Sequence, residues 1–310
     1  MESVSIDASR AGRADAELIA YGGLTLTSLL WASAFIAGKV VLAEMTPLPA
    51  AAWRYAIAAT VLLPFAARRR PATEISRVDA VGPLAVMVLA GGVLYPWLFL
   101  TALSKTTATN TALLVALNPV FTVLLAPLIG ERLTRNRLAG GALALTGAVT
   151  VITKGDLRHL TALTFNTGDL LAVAAAATWA TFNLSSRRVV SRLTPAFTNC
   201  VIFGIGSIAL YALGRGEQPW AQLLAATPAA LGGILVMAIL SSVLAGQMFL
   251  VGVRTLGVSR TVVFVYLVPV LTAVLSTLFL GERFDLSQGA GGAAVLAGVY
   301  WSTRTRGVPR

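Results

Sequence analysis

The side chains best placed for chemistry in this 310-residue chain are neutral-polar and aromatic rather than acids, bases or nucleophiles. Asn118 stands directly before Pro119, and a proline in a helix frees a carbonyl one turn earlier. Asn118 therefore has two readings: contact with a bound solute, or satisfaction of that carbonyl or a cross-link between helices. Trp31 and Trp179 occupy equivalent places in an internal repeat. Both lie more than a turn inside apolar runs, which weighs against an interfacial belt and leaves cavity lining or helix packing. Asn183 lies one turn beyond Trp179 and shares its helix face. Gln247 (the counterpart of Trp97), Tyr95 and Tyr266 add polar atoms at middle depths, with packing as the plainer reading of each. These seven residues together outline an aromatic, neutral-polar cavity that suits a neutral or zwitterionic organic solute.

The charged residues read as anchors. Glu131 and Glu282 each stand beside an arginine, Arg132 and Arg283. An inverted repeat would put the two glutamates on opposite faces of roughly 30 Å of hydrocarbon, so local pairs at helix ends are expected. Arg54, about seven residues into its span, is expected to snorkel to the interface. Lys39 and Arg187 end equivalent helices and either anchor them or hold a substrate carboxylate at a mouth of the pathway.

Absences narrow the classes further. The single His159 lies in a connecting segment, Cys200 is the only cysteine, and no Asp or Glu falls clearly inside a span. No metal or cofactor is expected, and an intramembrane hydrolase or lipid-modifying enzyme lacks its usual groups. A channel would call for rings of charge, and a phosphate-ester carrier for several inward cations. The net charge of +11 is spread over the ends of apolar runs, so nucleic acid is not an expected partner.

The elements that must hold such a cavity follow from composition. The chain is 56% hydrophobic and only 12% charged, whereas soluble domains carry about 25% charged residues. Lipid must be its main solvent. Ten stretches approach the roughly 20 apolar residues a spanning helix needs: 18–42, 47–66, 79–103, 108–130, 135–153, 167–186, 195–213, 228–252, 258–281 and 286–303. Seventeen basic residues fall on the side of the N-terminus and six on the other, which predicts both termini cytoplasmic.

The chain also repeats itself. Phe99-Leu100 returns as Phe249-Leu250, Pro119-Val120 as Pro269-Val270, and Gly130-Glu131-Arg132 as Gly281-Glu282-Arg283. Trp31-Ala32-Ser33 aligns with Trp179-Ala180-Thr181. The predicted fold is an all-α polytopic membrane protein of ten transmembrane helices in two inverted five-helix repeats, because an odd number of spans turns the second copy over. The expected divisions are a disordered cytoplasmic tail (1–17), a first repeat (18–153), a connecting loop (154–166), a second repeat (167–303) and a cytoplasmic tail (304–310). Gly140/Gly147 and Gly291/Gly298 lie at seven-residue spacing and favour close packing of helices 5 and 10, which also makes these helices the candidate surface of a homodimer.

In this order the motifs resemble the drug/metabolite transporter superfamily, in its ten-helix EamA-type branch. The carriers are Trp31-Ala-Ser-Ala-Phe35, Pro47 to Arg54, Ala102-Leu103, and Asn118-Pro119-Val120-Phe121 through Gly130-Glu131-Arg132-Leu133-Thr134. The resemblance implies an inner-membrane exporter of small metabolites, often amino acids, with helices 1–4 and 6–9 as core and 5 and 10 as outer scaffold. The alternatives kept are a proton-coupled antiporter and, further off, the membrane enzyme. One departure is that Ile202 occupies the place equivalent to Arg54.

Overall fold

The computed structural model describes residues 2–68, 75–125, 135–153, 155–156, 166–257, 261 and 263–303. Among these residues there is no strand. They form ten spans: α1 (Glu2–Leu42), α2 (Pro47–Arg68), α3 (Ile75–Met87 continued through Val88–Leu94 and Tyr95–Lys105), α4 (Ala108–Val115, then Asn118–Leu125), α5 (Arg135–Thr153), α6 (Thr167–Val190), α7 (Pro195–Leu213), α8 (Pro228–Leu235 continued through Val236–Leu244 and Ala245–Leu256), α9 (Val263–Tyr266, then Leu267–Leu280) and α10 (Leu286–Thr303). Helix α1 starts at Glu2, so the segment expected to be a disordered tail is instead helix continuous with the first span. The Gly130-to-Thr134 motif, His159 and the 304–310 tail lie outside the described residues.

Helix starts follow local chemistry. α2, α7 and α8 open on a proline, whose missing amide is no loss in a first turn. Thr107, Thr194 and Thr227 cap α4, α7 and α8 by accepting an amide three residues on. α9 stops at Gly281, whose φ of 64° suits a residue without Cβ.

Five described helices are long and apolar enough to cross a membrane: α1, α2, α3, α7 and α8. Helix α6 has the length without the hydropathy, because Asn183 and Ser186 on its face are fully buried against protein and owe nothing to lipid.

Pairing of the spans is symmetric under exchange of the repeats. α1 packs on α8 and α9 as α6 packs on α3 and α4, while α2–α7, α4–α9 and α5–α10 pair with their own counterparts. Five spans per repeat, joined so that neighbours alternate in direction, make this an inverted-topology membrane fold. The outer pair α5–α10 meets along its glycines: a Cβ on Gly147 would stand 2.5 Å from the Gly291 carbonyl, and one on Gly298 2.5 Å from that of Gly140. Those faces are consumed within the chain, so a dimer through these helices would have to use their other sides.

Two π-helical stretches, Val88–Leu94 in α3 and Val236–Leu244 in α8, sit at corresponding places in the repeats. Such segments loosen the regular ladder and leave carbonyls for other donors. Tyr55 Oη donates to the Gly91 carbonyl at 3.0 Å, and Trp31 Nε1 to the Ser241 carbonyl at 3.2 Å. At the 150-residue offset that pairs Phe99 with Phe249, Gly91 and Ser241 are equivalents.

Candidate functional site

Between the two repeats lies a cavity of about 70 Å³ whose lining includes Trp31, Tyr95, Asn118 and Trp179. Its walls come from α1, α2, α3, α4, α6, α7, α8 and α9, so both repeats build it. The aromatic rings form one connected cluster. Trp31 meets Trp179 edge to face at 5.7 Å, Tyr95 meets Trp179 at 4.7 Å, and Phe182 stacks on Trp179 at 4.6 Å. Phe249 touches Trp31 at 5.1 Å. Sites for drug-sized ligands run to about 300–1,000 Å³, so the cavity is contracted around these rings.

Asn118 is fully buried, and its two polar ends are both engaged. Pro119 has no amide hydrogen for the Val115 carbonyl, and Asn118 Nδ2 donates to that oxygen at 3.1 Å instead. Asn118 Oδ1 accepts from Asn183 Nδ2 at 3.3 Å, tying α4 to α6. Asn118 therefore repairs the break and cross-links helices while it also lines the cavity. Asn183 stands behind it, outside the lining, with its Oδ1 buried and unpartnered.

Two further expected residues, besides Asn183, are not brought to the cavity wall. Gln247 turns to α7, where Nε2 donates to the Pro195 carbonyl at 3.2 Å. Tyr266 packs against the hydrophobic core, and its neighbours Val265 and Val268 line the cavity in its place. The rotation of each helix aims these side chains away from the cavity.

The larger surprise is Arg54. It does not snorkel; it is 6% exposed and lines the cavity. Its Nε donates to Ser242 Oγ at 2.8 Å and its Nη2 to Ser241 Oγ at 3.4 Å, with the guanidinium carbon 5.4 Å from the Tyr55 ring centre. Asn199, also unforeseen, lines the cavity beside α8 with its Nδ2 buried and unpartnered. A signal existed in the repeats: Ser241-Ser242 replace Gly91-Gly92, and Arg54 replaces Ile202.

A second polar cluster closes the end of the bundle where α1 and α3 finish and α6 begins. Lys39 Nζ donates to the Thr106 carbonyl at 2.6 Å, and Thr106 Oγ1 donates to Asp169 Oδ1 at 2.7 Å. Gln288 Nε2 donates to Asn110 Oδ1 at 2.6 Å. Glu282 was expected to pair locally with Arg283, but its carboxylate caps α4 instead. It accepts the Ala108 amide at 2.8 Å, and the Thr109 amide and hydroxyl at 3.2 and 3.0 Å. The positive end of α4 attracts that carboxylate. In the α1–α2 turn, Glu44 accepts the Thr227 hydroxyl at 2.6 Å and its amide at 2.8 Å, and these bonds hold its carboxyl below the usual range.

Among the described residues, no group of three or more metal-ligating side chains occurs.

The EamA-like transporter family matches residues 18–153 and again 166–304. An uncharacterized transporter of Archaeoglobus fulgidus is 31% identical over 283 residues, spanning 90% of this chain and 96% of its own. A probable terminal-alkyne amino-acid exporter of Streptantibioticus cattleyicolor is 30% identical, spanning 91% and 92%. A probable amino-acid metabolite efflux pump of Salmonella typhimurium is 25% identical, spanning 89% and 91%. One protein of known crystal structure superposes with a TM-score of 0.59 at 18% identity, over 93% of this chain and 96% of the other, which speaks to fold alone. With both repeats matched and relatives aligned nearly end to end, this multi-pass membrane protein belongs to the EamA-like transporter family.

Proposed function

We propose that this transporter exports small organic metabolites, amino acids foremost, across the inner membrane, with both termini in the cytoplasm. The observation that carries this reading is the aromatic cavity enclosed by both repeats, with the equivalent residues Trp31 and Trp179 in contact within it. Two related proteins carry names that specify amino-acid export. A largely aromatic and aliphatic lining with a few polar groups favours organic solutes that carry an apolar body.

Alternating access follows from the contraction of the cavity. At about 70 Å³ it must open before a metabolite enters, and a rocking of one helix bundle against the other about the midplane supplies that opening. The polar cluster around Thr106, Asp169 and Lys39 is a latch at one end that such a motion has to release. Counterflow of a radiolabelled amino-acid panel into proteoliposomes tests the reading. Saturable exchange of at least one amino acid is expected, and its absence across the panel with folded protein rejects it.

A further inference from the structure

Arg54 brings a charge into the cavity that its neighbours do not neutralise. A guanidinium offers five N–H donors and no acceptor. The two serine hydroxyls take two of them. Ser242 Oγ is itself committed as a donor, to the Met237 carbonyl at 2.9 Å, so its free lone pair is what faces Arg54. Among the described residues, no carboxylate lines the cavity. A charge held out of water without a counter-ion is costly, and in a membrane span it marks a place where a partner is supplied from elsewhere.

Asn199 points to the same partner independently. It is 3% exposed and lines the cavity, and its Nδ2 hydrogens meet no acceptor. Its position beside α8 is tight, since a Cβ on Gly246 would lie 3.2 Å from that nitrogen. Spare donors lining one cavity ask for an acceptor carrying negative charge. The guanidinium fork fits the two oxygens of a carboxylate.

The repeats show that this wall is special to one half. Where the first repeat offers Gly91 and Gly92, the second has Ser241 and Ser242, and the place of Arg54 is taken by Ile202 in the other half. A solute held by this wall must therefore lie in one orientation. The remaining lining is largely aromatic and aliphatic, with Trp31, Tyr95 and Trp179 providing faces for an apolar body or an ammonium.

We propose that Arg54, with Asn199 lining the same cavity, binds the carboxylate of the transported solute, so that the cavity selects monocarboxylates with an apolar remainder. This rests on the reading of the cavity as the transport site and names the group that the site recognises.

The experiment compares leucine, leucine amide and 4-methylpentanoate by isothermal titration on purified protein and by counterflow in proteoliposomes. The wild type is expected to bind leucine and 4-methylpentanoate and to bind the amide about thirtyfold more weakly, as loss of a charge-assisted pair implies. Arg54→Gln is expected to weaken leucine about thirtyfold and the amide far less, so that the two bind alike. Arg54→Lys should retain part of the preference, and serves if the glutamine variant fails to fold by size exclusion. Asn199→Ala should weaken leucine by more than it weakens the amide. Equal binding of leucine and its amide by the wild type, undiminished preference in Arg54→Gln, or no binding of either carboxylate overturns the inference. Arg54-dependent binding without counterflow would keep the inference and reject the transport reading. Counterflow indifferent to the carboxylate would do the reverse.

Discussion

The indole rings of Trp31 and Trp179 meet edge to face, 88° between planes, although the residues belong to different repeats and lie 148 positions apart. Trp179 also touches Tyr95, Phe182 and Phe249, so it is the ring on which the cavity wall converges. An edge-to-face pair is worth about 0.5–1.5 kcal/mol beyond its buried area. Any motion of one repeat past the other has to rearrange this contact.

Trp179→Ala is therefore expected to lower the counterflow rate about tenfold, the kinetic equivalent of about 1.4 kcal/mol. Expression should be retained, because the ring faces an existing cavity and its removal enlarges that space. Trp179→Phe should keep most of the activity. Wild-type counterflow by the alanine variant would remove this ring from the pathway.

A second prediction concerns the break in α4. Asn118→Ala strips the Val115 carbonyl of its donor and Asn183 Nδ2 of its acceptor. Each buried group left unsatisfied costs about 1–3 kcal/mol, so the variant should unfold at a clearly lower temperature in detergent. Adding Pro119→Ala returns an amide hydrogen to the Val115 carbonyl. The double variant should recover part of the lost thermal stability but not the transport rate, if the kink shapes the cavity. A double variant less stable than Asn118→Ala alone would contradict the repair role.

Much of this architecture is legible in the sequence, because it depends on length and hydropathy along one helix at a time. The spans are of that kind, and the duplication, which makes Trp31 and Trp179 equivalents, is read by aligning one half with the other. The orientation of a side chain depends on partners far along the chain and is not. Arg54 has the depth of an interfacial residue, yet its hydrogen-bond partner Ser242 is 188 positions away in α8. Gln247 fails for a related reason. It lies three residues beyond the π-helical stretch Val236–Leu244, and each residue added to a turn rotates the rest of the helix by about 100°. A regular helix read from sequence assigns such a residue to the wrong face. The Ser241-Ser242 for Gly91-Gly92 exchange could have pointed to Arg54, had the repeat been read for its differences as well as its matches.

The third prediction takes the Glu282 cap. Three donors of Ala108 and Thr109 converge on its carboxylate, so α4 and the α9–α10 turn are fastened together. Glu282→Ala leaves those first-turn amides without a partner, at a cost of about 0.5–2 kcal/mol for a lost helix cap. Glu282→Gln keeps an acceptor and should recover roughly half of the loss. Arg283→Ala should change stability little, since the glutamate is engaged elsewhere. Thermal unfolding of the three variants distinguishes this cap from a local ion pair, for which Arg283→Ala and Glu282→Ala would cost alike.

The last prediction is about energy. A proton-driven carrier keeps an ionisable acid or histidine where substrate and proton can exclude one another. Among the described residues, the ionisable side chains lining the cavity are Arg54, Tyr55 and Tyr95. None of the three is the carboxylate or imidazole on which a proton and a bound solute could compete. The acids Asp169 and Glu282 belong to the polar cluster at the end of the bundle, where they hold Thr106 and the start of α4. A proton taken up there would loosen a latch and would not compete with a bound solute. Export should therefore run downhill: counterflow should equilibrate at the same rate with and without a protonophore, and an imposed pH gradient alone should not concentrate substrate. Asp169→Asn should alter the rate of exchange and leave that independence intact. Uphill accumulation driven by the gradient in the wild type, and lost in Asp169→Asn, would move the coupling site to the latch and refute the downhill scheme.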